Sequence, residues 1–167
     1  MRARLGPCRL TLRRQLPGGL SSRWTRDNRG LQVVLATAGV DRHDAALELL
    51  LCVGEALWES AGVAERAAYL KLLATEIDAG VAGELDEDAR GERQALLAGR
   101  ASARSRRRLE RYARASFAAS AAEYIHALWH DVTVETGPHH LPAPWLRRRL
   151  EAFARWFPPG RGYRLFP

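Results

Sequence analysis

The chain has 167 residues, enough for one ordinary domain, and 47% of them are apolar, which excludes a globally disordered chain. The formal net charge is +7, but residues 1–43 hold nine arginines against two acids, residues 44–99 four cations against twelve acids, and residues 100–167 thirteen arginines against five acids. A basic–acidic–basic order neutralises itself within a fold, so net charge alone names no polyanionic partner. Cys8 and Cys52 are the two cysteines, with no CxxC or other metal spacing. A disulfide framework is not expected, and a reducing, cytoplasmic setting is. No run approaches the ~20 consecutive apolar residues of a membrane span.

Residues 1–26 carry no acidic residue, seven arginines, and Pro7, Pro17, Gly18 and Gly19. They lack the continuous apolar segment of a secretory signal. Residues 1–30 are expected to form a basic, loosely ordered arm. Residues 31–37, short and β-branched after an Asn-Arg-Gly turn signal, predict a strand or extended segment. If it is a strand, residues 9–13 are its one plausible nearby partner.

Residues 41–60 predict the first long helix, with Asp41 as its cap. Most of its circumference is apolar except for one stripe of Asp44, Glu48, Cys52, Glu55 and Glu59 at helical spacing. A second helix over 63–79, with Ala67, Leu70, Leu73 and Ile77 inward, is expected to fold back on the first as an antiparallel hairpin. An acidic patch over 84–92 leads into a short helix near 86–98.

Residues 102–132 predict the longest helix. Leu109, Tyr112, Ala113, Phe117, Ala121, Tyr124, Leu128 and Val132 recur at threes and fours. The opposite side carries Ala115, Ala118, Ala119 and Ala122, so burial on more than one side is expected. A last helix over 144–157 begins at a proline suited to a first turn. Its inner face is Leu146, Leu150, Phe153 and Phe157. The fold class expected is all-α: an irregular bundle of four to five helices in a single domain, residues 31–167, behind a short extended segment.

Two constellations invite function. The start of the long helix holds Arg104, Arg106, Arg107, Arg108, Arg111 and Arg114. They either pair with the acidic segment just upstream, the favoured reading, or form a phosphate-binding face. Nucleic acid is the less favoured partner, because no aromatic accompanies the run until Tyr112. Trp145, Arg149 and Trp156 share a flank of the last helix, a composition enriched at protein interfaces.

The second constellation is Glu123, His126 and His130, which share a helix face. Two imidazoles one turn apart suit one divalent metal ion, with His139 or His140 closing the site and Glu123 or Glu55 as ligand or general base. The metalloprotease motif fails, since Ala127 stands where its glutamate would be. The plainer account is a helix C-terminus with its histidines on the dipole and Glu123 paired to them. There is no dinucleotide fingerprint, phosphate loop or nucleophile elbow. The function expected is a non-catalytic module that binds another macromolecule, a protein rather than nucleic acid. The alternative is a metal-dependent, hydrolase-like enzyme built on Glu123, His126 and His130.

Overall fold

The computed structural model describes residues 1–98, 103–129, 139–160, 162 and 165, with the side chains of 103–105 excepted. Its helices account for 61% of the chain, and they are joined by a three-stranded mixed sheet. The all-α expectation is therefore corrected to a helix-dominated α/β architecture.

The sheet is made of β1 (Cys8–Arg13), β2 (Ser22–Asp27) and β3 (Gly30–Ala36), in the order β1-β3-β2. β3 runs parallel to β1 and antiparallel to β2. Asp27 accepts a hydrogen bond from the Arg29 N–H (2.7 Å), closing the turn between β2 and β3. β3 is the strand anticipated over 31–37, and β1 is the partner anticipated for it. β2 was not anticipated. Residues 8–27, read above as part of an arm, thus carry two hydrogen-bonded strands. The physical reason lies in burial: strand periodicity shows only where a face is buried. Leu31, Val33 and Leu35 of β3 are at most 2% exposed, whereas five of the six residues of β1 and four of the six of β2 are exposed.

A one-turn helix, α1 (Arg2–Leu5), precedes the sheet. Leu5 is buried, and the Arg4 guanidinium grips the Glu65 carboxylate with two hydrogen bonds while lying 4.8 Å over the Phe157 ring. The extreme N-terminal residues are thereby tied to the helical layer.

α2 (Arg42–Ser60) starts where expected, with the Asp41 carboxylate accepting from the Asp44 N–H (2.9 Å). It covers the inner face of β2 and β3. α3 (Val63–Asp78) packs on the later helices instead of folding back along α2. Its buried face is Tyr69, Leu73 and Glu76, and Ala67 is exposed. α4 (Glu87–Leu97) is capped by Asp86, and α6 (Ala143–Trp156) buries Leu146, Arg149, Leu150 and Phe153.

α5 (Ala103–Ala127) is the axis of the molecule and touches α2, α3, α4 and α6. Every residue over 116–122 is buried. The alanines are what permit this: at Gly54 of α2, an added Cβ would sit 2.5 Å from the Ala118 carbonyl oxygen. Two helix backbones this close leave no room for a larger side chain on either. The helix ends at Ala127, short of the expected 132, as the Leu128 and Trp129 N–H groups bond back to Ile125 and His126. Around its middle, Trp58, Tyr69, Phe117, Phe153 and Trp156 form an aromatic cluster, with Phe117 and Phe153 centroids 4.7 Å apart. Each such ring contributes about 1.5–3 kcal/mol by burial.

Candidate functional site

The densest polar constellation is inside the helical layer. Arg149 of α6 is fully buried, yet it sits at inner-face spacing among Leu146, Leu150 and Phe153. Its guanidinium binds two carboxylates at once. Nε and Nη2 donate to Glu76 of α3 at 3.0 and 2.6 Å, and Nη1 and Nη2 donate to Glu84 at 2.8 and 2.9 Å. Tyr112 of α5 donates its O–H to Glu84, and the Tyr69 hydroxyl shares hydrogen bonds with Ser116 and Ser120 at 2.9 Å each. Arg93 of α4 closes the rim by donating to the Val81 carbonyl.

The loop that carries Glu84 is set by a bridge to residues 139–140. The Glu84 N–H donates to the His139 carbonyl (3.0 Å), and Glu84 pairs with His140. Gly83 has φ +86°, and a Cβ there would strike the His140 carbonyl oxygen at 2.2 Å. Only glycine lets the loop pass so close.

The electrostatics are those of a closed structural joint. Burial opposes ionisation of Glu84, but Arg149 outweighs it and holds the carboxyl below its usual range. Burial works against the charge on Arg149 too, and its anionic neighbours still keep it well above its ordinary value. Burial pushes the Tyr69 phenol up to about 12 and raises Tyr112 as well. Arg149, Glu76 and Glu84 are 0, 1 and 3% exposed. Groups so sealed, with their hydrogen bonds mutually satisfied, hold four elements together and meet no dissolved substrate.

Arg149 therefore leaves the expected surface flank. Trp145 lies under the Arg148 guanidinium (4.3 Å), and Trp156 packs on Phe117 and Phe153. The signal that locates the joint is the spacing of Arg149 and Glu76 within apolar faces: Arg149 is three and four residues from Leu146 and Phe153, and Glu76 is three and seven from Leu73 and Tyr69.

The Glu/His constellation is only partly assembled. His126 Nδ1 and Glu123 Oε2 are 3.9 Å apart, both half-exposed at the end of α5. His130 lies outside the described residues. The His139 and His140 backbones serve the Glu84 loop, and both residues are exposed. Glu55 turns to other partners, accepting from Trp24 Nε1 (2.7 Å) and facing Arg114 (3.6 Å). Among the described residues, no three His, Cys, Asp or Glu side chains gather closely enough to hold one metal ion.

The α5 arginines mostly face carboxylates. Arg111 meets Glu92 of α4 (3.1 Å), Arg114 meets Glu59 (3.4 Å), and Arg106 meets Glu110 (3.5 Å). Arg107 is exposed and Arg108 half-buried. Arg104 belongs to α5, and its side chain lies outside the described residues.

The sheet presents a different surface. Ladder parity puts Arg9, Thr11 and Arg13 of β1, Gln32 and Val34 of β3, and Arg23 and Thr25 of β2 on the outer face. Arg9, Arg13 and Arg23 are exposed and make no ion pair among the described residues. The inner face is uneven. Val33 and Leu35 are buried beneath α2, but their β1 neighbours Leu10 and Leu12 are 44 and 59% exposed. Beside the start of β1, Leu5, Cys8, Leu31 and Val53 help line an apolar cavity of about 450 Å³.

Comparison of the chain with protein-family models, with curated proteins and with solved structures returned no match.

Proposed function

We propose that the chain is a non-catalytic module that binds another protein, and that the sheet is its binding layer. One observation carries this reading: arginines without an ion pair among the described residues and half-bare leucines coincide on β1. Single exposed apolar side chains are ordinary on protein surfaces. Two on one strand beside an apolar cavity and a basic face form a patch of the kind that marks interaction sites. The α5 face is a weaker candidate, because Arg111 and Arg114 already have carboxylate partners. The buried Arg149 removes the other anticipated flank. No helix among the described residues is long and apolar enough to cross a membrane, and both cysteines are free thiols. A reducing, cytoplasmic setting suits the proposed module.

The test compares two charge-reversal variants of the full chain, Arg9→Glu/Arg13→Glu/Arg23→Glu and Arg107→Glu/Arg111→Glu. Each is checked for native far-UV circular dichroism and then used as bait with quantitative cross-linking. The expected outcome is a protein set captured by the parent chain and the α5 variant and lost by the sheet variant. Equal capture by all three, or capture of nucleic acid alone, overturns the proposal.

A further inference from the structure

The ladder shows which backbone groups β1 leaves unused. The Pro7 carbonyl accepts from the Leu31 N–H (3.0 Å) and the Arg13 carbonyl from the Thr37 N–H (2.8 Å). In a parallel pair, a residue turns both its N–H and its C=O toward the same neighbour, and the next residue turns both away. With Arg9↔Gln32, Leu10↔Val33, Thr11↔Val34 and Leu12↔Leu35 in register, the odd-numbered residues of β1 bond to β3. The backbone groups of Leu10 and Leu12 therefore point to the open edge. The same two residues carry the half-exposed side chains. Among the described residues no strand lies beyond β1.

We propose that this edge takes up an extended segment of a partner protein as a fourth strand, one in which apolar residues alternate with acidic ones. The inference rests on the reading of the sheet as a binding layer and names its partner. Its pattern follows from the two faces of β1. Partner residues beside Leu10 and Leu12 fall on the inner side, where they continue the apolar surface of Val33 and Leu35 toward the cavity at Cys8 and Val53. Partner residues beside Arg9, Thr11 and Arg13 fall on the outer side, where the two guanidiniums have no counter-charge among the described residues. Opposite charges directly across a ladder stabilise it, and like charges there destabilise it. Main-chain hydrogen bonds supply affinity in strand addition, and alternate side chains supply selectivity.

Charge also disfavours a second copy of this chain as the occupant. In the antiparallel register that sets Leu10 of one β1 against Leu12 of another, each Arg9 faces an Arg13. The neighbouring registers leave these arginines on diagonals. Edge arginines thus deter self-pairing and invite an acidic strand.

The experiment uses the full chain and end-blocked fluorescent peptides of about seven residues, an ordinary strand length, followed by fluorescence anisotropy. A peptide alternating valine and glutamate is expected to bind saturably. One alternating valine and lysine, and one with the same valine and glutamate residues in blocked order, are expected not to. Arg9→Glu/Arg13→Glu should weaken the glutamate peptide about tenfold and admit the lysine peptide. Leu10→Pro removes an edge N–H that β3 does not use and should abolish binding with the fold retained. The charge swap keeps the test decisive if that variant unfolds. Equal binding of alternating and blocked peptides, or equal uptake of a single-stranded oligonucleotide, would mean charge alone and overturn the proposal. So would concentration-dependent dimerisation that competes with the peptide. If no peptide binds while cross-linked capture still depends on Arg9, Arg13 and Arg23, strand addition is wrong and the binding layer stands. Loss of both removes the two readings together.

Discussion

Arg149 sits where water does not reach, and the two carboxylates it binds, Glu76 and Glu84, are buried with it. Removing the cation should therefore cost far more than removing a surface arginine. Arg149→Met is expected to lower stability by about 3–5 kcal/mol at neutral pH, measured by urea unfolding, because Glu76 and Glu84 are left buried face to face. The pH response separates this from a packing defect. Glu84 has a folded-state pKa below its ordinary value. Its contribution in the parent is present above the ordinary glutamate range and is lost as pH falls through the folded value. In the Met variant a buried carboxyl without its cation prefers its proton, so acidification toward pH 5 should restore stability. A like-signed slope in both proteins would contradict this account. Asp86 behaves in the opposite sense to Glu84. Burial raises it from 3.8 to about 6, so its favourable contribution is full below about pH 4 and lost as pH climbs through 6. Asp86→Asn keeps a good helix cap and removes the buried charge. It should gain about 1–2 kcal/mol at pH 7, after discounting for partial exposure, and nothing at pH 4. Urea midpoints at the two pH values check it.

At the scale of elements, α2 and α5 meet through Gly54 and Ala118. Gly54→Ala drives a Cβ into the Ala118 carbonyl and should cost about 1–3 kcal/mol even though alanine favours helix. Gly91 in α4 has nothing within 4 Å of an added Cβ. There the same substitution should stabilise by about 0.5–1 kcal/mol. Thermal unfolding of the two variants should therefore shift in opposite directions. The contrast also shows what was readable from residue order. Helix bounds for α2, α4 and α6 follow from caps, prolines and spacing within a residue or two, because those signals are local. On α3 the expected Leu73 is buried and Leu70 and Ile77 pack on the core, but Ala67 is exposed and Tyr69 and Glu76 take the deepest places, which only the packing of α5 and α6 decides. β1 is legible in the alternation of Arg9, Leu10, Thr11, Leu12 and Arg13, whereas β2, with Trp24 its one large apolar residue, leaves no such alternation to detect. The Glu76–Glu84–Arg149 joint joins residues up to 73 positions apart, and no local pattern links them. The spacing of Arg149 and of Glu76 on the apolar faces of their helices is the trace it leaves.

For the molecule as a whole, the alternation of charge along the chain becomes a pattern of joints. Arg4 reaches Glu65, Arg114 reaches Glu55 and Glu59, Arg111 reaches Glu92, and Arg149 reaches Glu76 and Glu84. Each joins a basic terminal segment to the acidic middle one. Arg9, Arg13 and Arg23 of the sheet have no ion pair among the described residues and lie beside the half-bare Leu10 and Leu12, which is why the sheet and not the long helix is the candidate binding layer. The same pattern decides whether residues 1–30 are an accessory or part of the fold. Leu5 and Leu16 are buried, Trp24 packs on the core, and β3 is flanked on both sides by strands from this stretch. Removing residues 1–30 strips both neighbours from β3, bares Leu31, Val33 and Leu35 at their edges, and leaves Glu65 without Arg4. The truncated chain is expected to lose its cooperative thermal transition and to bind a hydrophobic dye while keeping much of its far-UV helical signal, as collapsed but loosely packed states do. A truncated chain that melts as sharply as the parent, at the same temperature and with no dye binding, would mean that the sheet is an appendage on a self-sufficient helical domain. The buried face of β3 would then owe its order to α2 alone.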